Sequence, residues 1–178
     1  MKKMGFVIFS LAMILMLSAC SSENTNNSKA LPKITVKGWN TDINSVVKSR
    51  DYGDTKPFQS IMDDPDLAIP YVKLGETIQI EFEDKALDSC ELKDYILNKN
   101  GTLKFKQPNV EAIDIKFING TGSFILHENM LAFASSDSMD YEPGAIIRGF
   151  RITCNWEDIN QDYEFIIRTD AKRSSDLK

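Results

Sequence analysis

Alternation of apolar and polar residues along Thr77–Phe82 constrains this chain more than any other feature. Ile78, Ile80 and Phe82 fall on one side of an extended backbone, and Thr77, Gln79 and Glu81 on the other. Successive side chains of a strand point to opposite faces, so this pattern demands a sheet with one buried face. The same period recurs at Ile34 and Val36, at Ile113, Ile115 and Phe117, and at Phe124 and Leu126. The longest run, Ala145 to Trp156, sets Ile146, Phe150, Ile152, Cys154 and Trp156 on one face, with Arg148 as the exception. After a polar turn, Glu157–Asp162, the run Tyr163, Phe165 and Ile167 returns.

Turn chemistry agrees with this reading. Asn100-Gly101 and Asn119-Gly120 each sit between apolar alternations, and both residue types tolerate the positive φ of a tight hairpin. Glu142-Pro143-Gly144 opens the longest strand. Short strands at intervals of roughly ten residues indicate a sandwich or a barrel. Between Ala86 and Asn98, Leu92, Tyr95 and Ile96 also suit a short helix, but the turn and strand that follow favour a strand. Gly38 to Leu74 is irregular: Trp39, Tyr52, Phe58 and Tyr71 follow no period, and Gly53, Pro57, Pro65 and Pro70 interrupt it. Ile43, Val46 and Val47 form one short helical face behind an Asp42 cap. A long irregular insertion in a compact domain is usually functional or mobile, so Trp39, Tyr52, Phe58 and Tyr71 are the expected recognition surface.

The N-terminal segment speaks to location. Lys2 and Lys3 precede an apolar stretch from Gly5 to Leu17, broken only by Ser10, and then Leu17-Ser18-Ala19-Cys20. A basic start, an apolar middle and small residues at a cut define a secretory signal. With a cysteine directly after the small residues it resembles a lipoprotein signal, which implies that Cys20 is lipidated and becomes the mature N-terminus. The apolar run is short for a membrane span, which needs roughly 20 residues. The expected organisation is a signal peptide over 1–19, a flexible spacer over 20–31, a single domain over 32–171 and a tail over 172–178. Ser21 to Ala30 has no apolar residue before its alanine and cannot pack. Removing Lys2 and Lys3 with no acid moves the formal charge from −5 to −7. That balance, without clustered Lys or Arg, argues against a nucleic-acid partner.

Candidate chemistry is sparse. His127 is the single histidine and has no metal or triad motif around it. Ser45 and Lys48 have the Ser-x-x-Lys spacing of penicillin-recognising enzymes, but the Ser-Asp-Asn and Lys-Thr-Gly elements are missing. Asp158, Asn160 and Asp162 alternate like calcium ligands, yet Tyr163 stands where the loop needs glycine. Asp63, Asp64 and Asp66 read as a solvated loop. No metal or cofactor is expected. Arg151 and Arg168 fall on the outward side of the last hairpin, where Glu164 and its neighbours are the expected partners. An enzyme would have to use scattered carboxylates such as Asp63, Asp64 or Asp140.

The lipobox, the Gly75-Glu76-Thr77-Ile78-Gln79-Ile80-Glu81-Phe82 strand and the terminal 148–168 hairpin together resemble uncharacterised surface lipoproteins of Gram-positive bacteria. The resemblance implies a mainly β fold: a tethered, antiparallel, immunoglobulin-like β-sandwich carrying a long irregular N-terminal segment. Cys90 shares parity with Leu92 and Ile96, and Cys154 with Ile152 and Trp156. In an immunoglobulin-like topology their strands can be neighbours, and an exported setting permits a bridge. Closing that interval would add about 4 kcal/mol in the chain-entropy account. The alternative is two buried free thiols acting as small hydrophobes. The functional expectation is a non-catalytic binding or accessory module. It is held by its lipid to the outer face of the cytoplasmic membrane and engages an envelope protein or ligand. The alternatives are a carboxylate-based envelope hydrolase and a purely structural surface protein.

Overall fold

A computed structural model describes residues 31–48, 58–83, 89–105, 110–156 and 159–172. The chain divides into two units, Met1–Ala30 and Leu31–Lys178. The first, with the Cys20 motif and the spacer, lies outside the described residues. Two antiparallel sheets of five strands each form the second unit. One sheet has the spatial order β2 (Asp42–Ile43), β1 (Ile34–Lys37), β4 (Thr77–Phe82), β8 (Thr121–Ile125), β7 (Phe117–Ile118). The other runs β3 (Ser45–Lys48), β10 (Ile159–Thr169), β9 (Ile146–Trp156), β5 (Ser89–Leu97), β6 (Glu111–Ile113). We call them the first and second sheets. Among the described residues, no helix is long and apolar enough to cross a membrane.

The alternating residues meet between the sheets. Ile78, Ile80, Phe82 and Phe124 from the first sheet pack with Leu92, Phe150, Ile152, Cys154, Trp156, Tyr163, Phe165 and Ile167 from the second. Phe82 sits at the centre, its ring 5.4 Å from Phe117, 5.9 Å from Trp156 and 5.5 Å from Tyr163, all edge-on. The chain changes sheet at both lateral edges, through Asn44 between β2 and β3, and through 114–116 between β6 and β7. Every edge strand is therefore short and abuts a corner, which limits the unpaired backbone on offer.

Two expectations need correction here. Residues 42–48 are not helical: Ile43 pairs with Val36, and Ser45–Lys48 line up against Phe165–Asp162. The alternation Ile113-Ile115-Phe117 is not one strand but the two sides of a corner. All three side chains still pack against the same core, so the period survives the change of sheet. The segment that also suited a helix is β5. Leu92 and Ile96 face inward while Tyr95 and Leu97 face a second apolar layer, and burial on both faces blurs a strand's alternation.

That second layer belongs to the irregular segment. The short helix α1 (Gln59–Met62) and its neighbours bring Phe58 and Ile61 onto the outer face of the second sheet, against Tyr95, Leu97, Ile147 and Ile166. Gly149 makes room for it, since a Cβ there would lie 2.9 Å from the Phe58 ring. Among the described residues, nothing comparable covers the outer face of the first sheet, where Thr35, Thr77, Gln79, Glu81 and Ser123 are exposed.

Cys90 and Cys154 stand directly opposite each other on β5 and β9, Cα atoms 4.2 Å apart, and form a disulfide. It staples neighbouring strands of one sheet and does not tie the two sheets together. The turns use their glycines as their conformations require. Asn119 (φ 52°) and Gly120 (φ 79°) close the β7–β8 hairpin, and two consecutive positive φ values match a tight hairpin's twist. Among the described residues, the Asn100-Gly101 turn leads to a single bridge, Leu97 with Leu103.

Candidate functional site

The register sorts the loops to two ends. β1 runs from Ile34, opposite Phe82, to Lys37, opposite Gln79; β8 runs from Thr121, opposite Glu81, to Ile125, opposite Thr77. Leu31, Pro32 and the Asn119 turn therefore lie at one end, where the Tyr163 hydroxyl donates to the Pro32 carbonyl at 2.6 Å. The opposite, far end gathers the Trp39 turn, Tyr71, the 98–105 loop, the 127–145 connection and Asp170–Lys172.

Specific contacts weld the far end together. Asp170 accepts from the Tyr71 hydroxyl at 2.6 Å and from the Gly144 amide at 2.8 Å. Burial, then the Asp170 hydrogen bond and charge, push the Tyr71 hydroxyl up to about 12. Two 3-10 turns, Met130–Ala134 and Ser138–Tyr141, are capped by Asn129 and Asp137, whose side chains accept from the Leu131 and Met139 amides. Tyr141 donates its hydroxyl to the carbonyls of Phe133 and Ser135, both at 3.1 Å. Lys104 and the Ser135 hydroxyl both donate to Asp140 Oδ2. Burial works to raise the Asp140 carboxyl, but the Lys104 and Ser135 hydrogen bonds outweigh it and hold it below its ordinary value. A carboxylate kept charged in this way is a poor base for Ser135, so the trio suits loop fixation better than nucleophile activation.

Beneath this end lies a buried ionic group. Arg148 donates from Nε and Nη2 to the two Asp94 oxygens at 3.1 and 2.5 Å, and from Nη1 to the His127 carbonyl at 2.6 Å. Asn129 Nδ2 adds a bond to Asp94 Oδ2 at 2.6 Å. This links the core strands to the 127–145 connection.

Of the four aromatic residues expected to form a recognition surface, two are exposed at the far end. Trp39 caps a turn closed by the Gly38 amide and Thr41 carbonyl at 2.8 Å and is 78% exposed. Tyr71 is exposed at the same end, and the Trp39 turn runs beside Val72, its neighbour. Phe58 is fully buried, so it belongs to the packing layer and not to a surface. Tyr52 lies outside the described residues.

The other candidates disperse. Ser45 and Lys48 sit on a strand, where three positions apart means opposite faces. Asp63, Asp64 and Asp66 are exposed, with the Asp66 amide donating to Asp64 Oδ1 at 3.0 Å. Asn160 and Asp162 already belong to β10, and Asp158 lies outside the described residues. Among the described residues, no three His, Cys, Asp or Glu side chains group as metal ligands would. His127 is exposed and serves through its carbonyl. Arg151 donates to Glu164 Oε1 at 2.9 and 2.7 Å, directly across the last hairpin. Glu164 is buried there, because the Phe58 layer covers a face that reads as solvent-exposed in sequence.

Exposed Met130, Met139 and Tyr141 complete the far-end surface. Sequence periodicity overlooks them because 3-10 turns keep neither the helical nor the strand period; the Asn129 and Asp137 caps were the readable signal. No protein family matches this chain, and no match was found among curated proteins or among solved structures.

Proposed function

We propose that this protein is a lipid-anchored, non-catalytic binding module of the cell surface, built on an immunoglobulin-like sandwich. Cys20 carries the lipid on the outer face of the cytoplasmic membrane, and the spacer leads to Leu31 at one end of the domain. The far end engages an envelope protein. A single asymmetry supports this reading: Trp39, Tyr71, Met130, Met139 and Tyr141 are exposed at the end opposite Leu31. Aromatic and methionine side chains are enriched in protein interfaces, and their exposure at one end of the domain favours a contact surface there. The disulfide accords with an exported chain.

Photo-crosslinking residues placed at 39, 139 and 118 on intact cells test it. Positions 39 and 139 are expected to capture the same envelope protein, while 118, at the Leu31 end, captures none of it. Cys20→Ser is expected to release the chain from firm membrane association. Equal capture from 118, a membrane-bound Cys20→Ser variant, or turnover of a wall fragment by the purified protein would each overturn the reading; the last would favour a carboxylate-based hydrolase.

A further inference from the structure

Lys172 reaches back over two rings of the far end, its Nζ 5.2 Å from the Phe133 centroid and 6.0 Å from that of Tyr141. Both rings are held in place. The Tyr141 hydroxyl is tied to the Phe133 and Ser135 carbonyls, and Asn129 caps the 3-10 turn carrying Phe133. The lysine's backbone is held too, since Asp170 is bonded to Tyr71 and Gly144, and Ala171 is buried among Ile96, Ala132 and Ile146. The position is therefore not the drift of a loose tail. Aromatic faces attract a cation within about 6 Å. The stretch 137–142 adds Asp137 and Glu142 beside Asp140, whose charge Lys104 already offsets, so its sign also favours a positive group.

We propose that Phe133 and Tyr141 form a recognition site for an alkylammonium group, occupied in this state by the chain's own Lys172. The lysine is a tethered competitor. A ligand bearing a substituted ammonium binds by displacing it. This rests on the reading of the far end as the binding end and names the chemistry taken there. Because the ligand sees only the fraction of molecules with the rings free, removing the competitor raises the apparent affinity by the inverse of that fraction.

Tetramethylammonium chloride titrated into the full chain, followed by NMR of labelled Phe and Tyr rings, tests the proposal. Potassium chloride at equal ionic strength serves as control. In Lys172→Ala the Phe133 and Tyr141 resonances are expected to shift with an apparent Kd about tenfold lower than in the wild type. Lys172→Gln, which keeps most of the stem without charge, should give the same gain, and adding Tyr141→Leu to it should remove the response. No gain in either Lys172 variant, an equal response to potassium, or persistence in the Tyr141→Leu background overturns the proposal. Crosslinks from positions 39 and 139 that persist alongside a negative titration sink this inference alone. Their failure sinks the binding-end reading whatever the titration gives.

Discussion

Arg148 and Asp94 are the polar exceptions on the inward faces of two adjacent core strands, and they answer each other. They sit diagonally across β9 and β5, joined by two hydrogen bonds of 3.1 and 2.5 Å, with Arg148 buried against the Phe150 ring at 5.4 Å. Asn129 and the His127 carbonyl complete the set, so a pair in the core also holds the connection that builds the far end.

Breaking this pair from one side should be far worse than replacing it. Arg148→Met or Asp94→Leu alone leaves a buried charge without its counter-ion, which costs about 3–5 kcal/mol. The double variant removes both charges and should regain most of that loss. Urea unfolding midpoints of the three variants measure it; additive losses in the double variant would contradict the account.

Reduction of Cys90–Cys154 should weaken the domain without dissolving it. The bridge closes a 64-residue interval, worth about 4 kcal/mol in the chain-entropy account. However, β5 and β9 are also in register from Ser89–Asn155 to Leu97–Ile147. Thermal unfolding with and without reductant, together with far-UV circular dichroism at 20 °C (about room temperature), is expected to show a lower midpoint and an unchanged native spectrum.

Two glycines should differ in what they tolerate. At Gly149 an added Cβ meets the ends of Leu97 and Phe58 side chains at 2.8 and 2.9 Å, an overpacking cost of about 1–3 kcal/mol. At Gly101 it meets the Gln59 backbone at 2.8 Å, and φ is +76°, so strain adds to the clash. Gly101→Ala should therefore lower the urea midpoint more than Gly149→Ala.

The alkaline limb of stability should carry a tyrosine signature. Burial pushes the Tyr163 hydroxyl from 10.0 to about 12. A pKa raised on folding contributes stability that is complete below the unfolded value and lost as pH rises through the folded one. The melting temperature of the wild type should thus fall between about pH 10 and 12. Tyr163→Phe should show a shallower fall, starting from a lower plateau because the bond to the Pro32 carbonyl is gone. An equally steep fall in both would rule out Tyr163 as a source.

Much of the architecture is legible because it is local. Ile78-Ile80-Phe82 and Phe124-Leu126 alternate wherever one face of a strand is buried and the other wet, and Asn119-Gly120 makes a tight turn in any context. The binding end is only half legible. Trp39 and Tyr71 stand out as unperiodic aromatics, but so does Phe58, and composition does not say which aromatic is covered. Met130, Phe133, Met139 and Lys172 follow no period, and the Asn129 and Asp137 caps are the signal that marks the turns carrying the first three.

By itself, then, the order of residues determined the longer strands, their inward faces and the principal turns, since these follow from backbone geometry and the exclusion of water over a few neighbouring positions. It did not determine the short strands at 42–48 or the break within 113–117. Tertiary structure alone decided where the chain changes sheet, because Ile113, Ile115 and Phe117 keep one period around the corner. It alone decided that Phe58 roofs the second sheet, that Cys90 faces Cys154 and that Asp94 meets Arg148. Those are pairings between distant positions, and their free energy depends on which side chain arrives opposite, a quantity no local window of sequence contains.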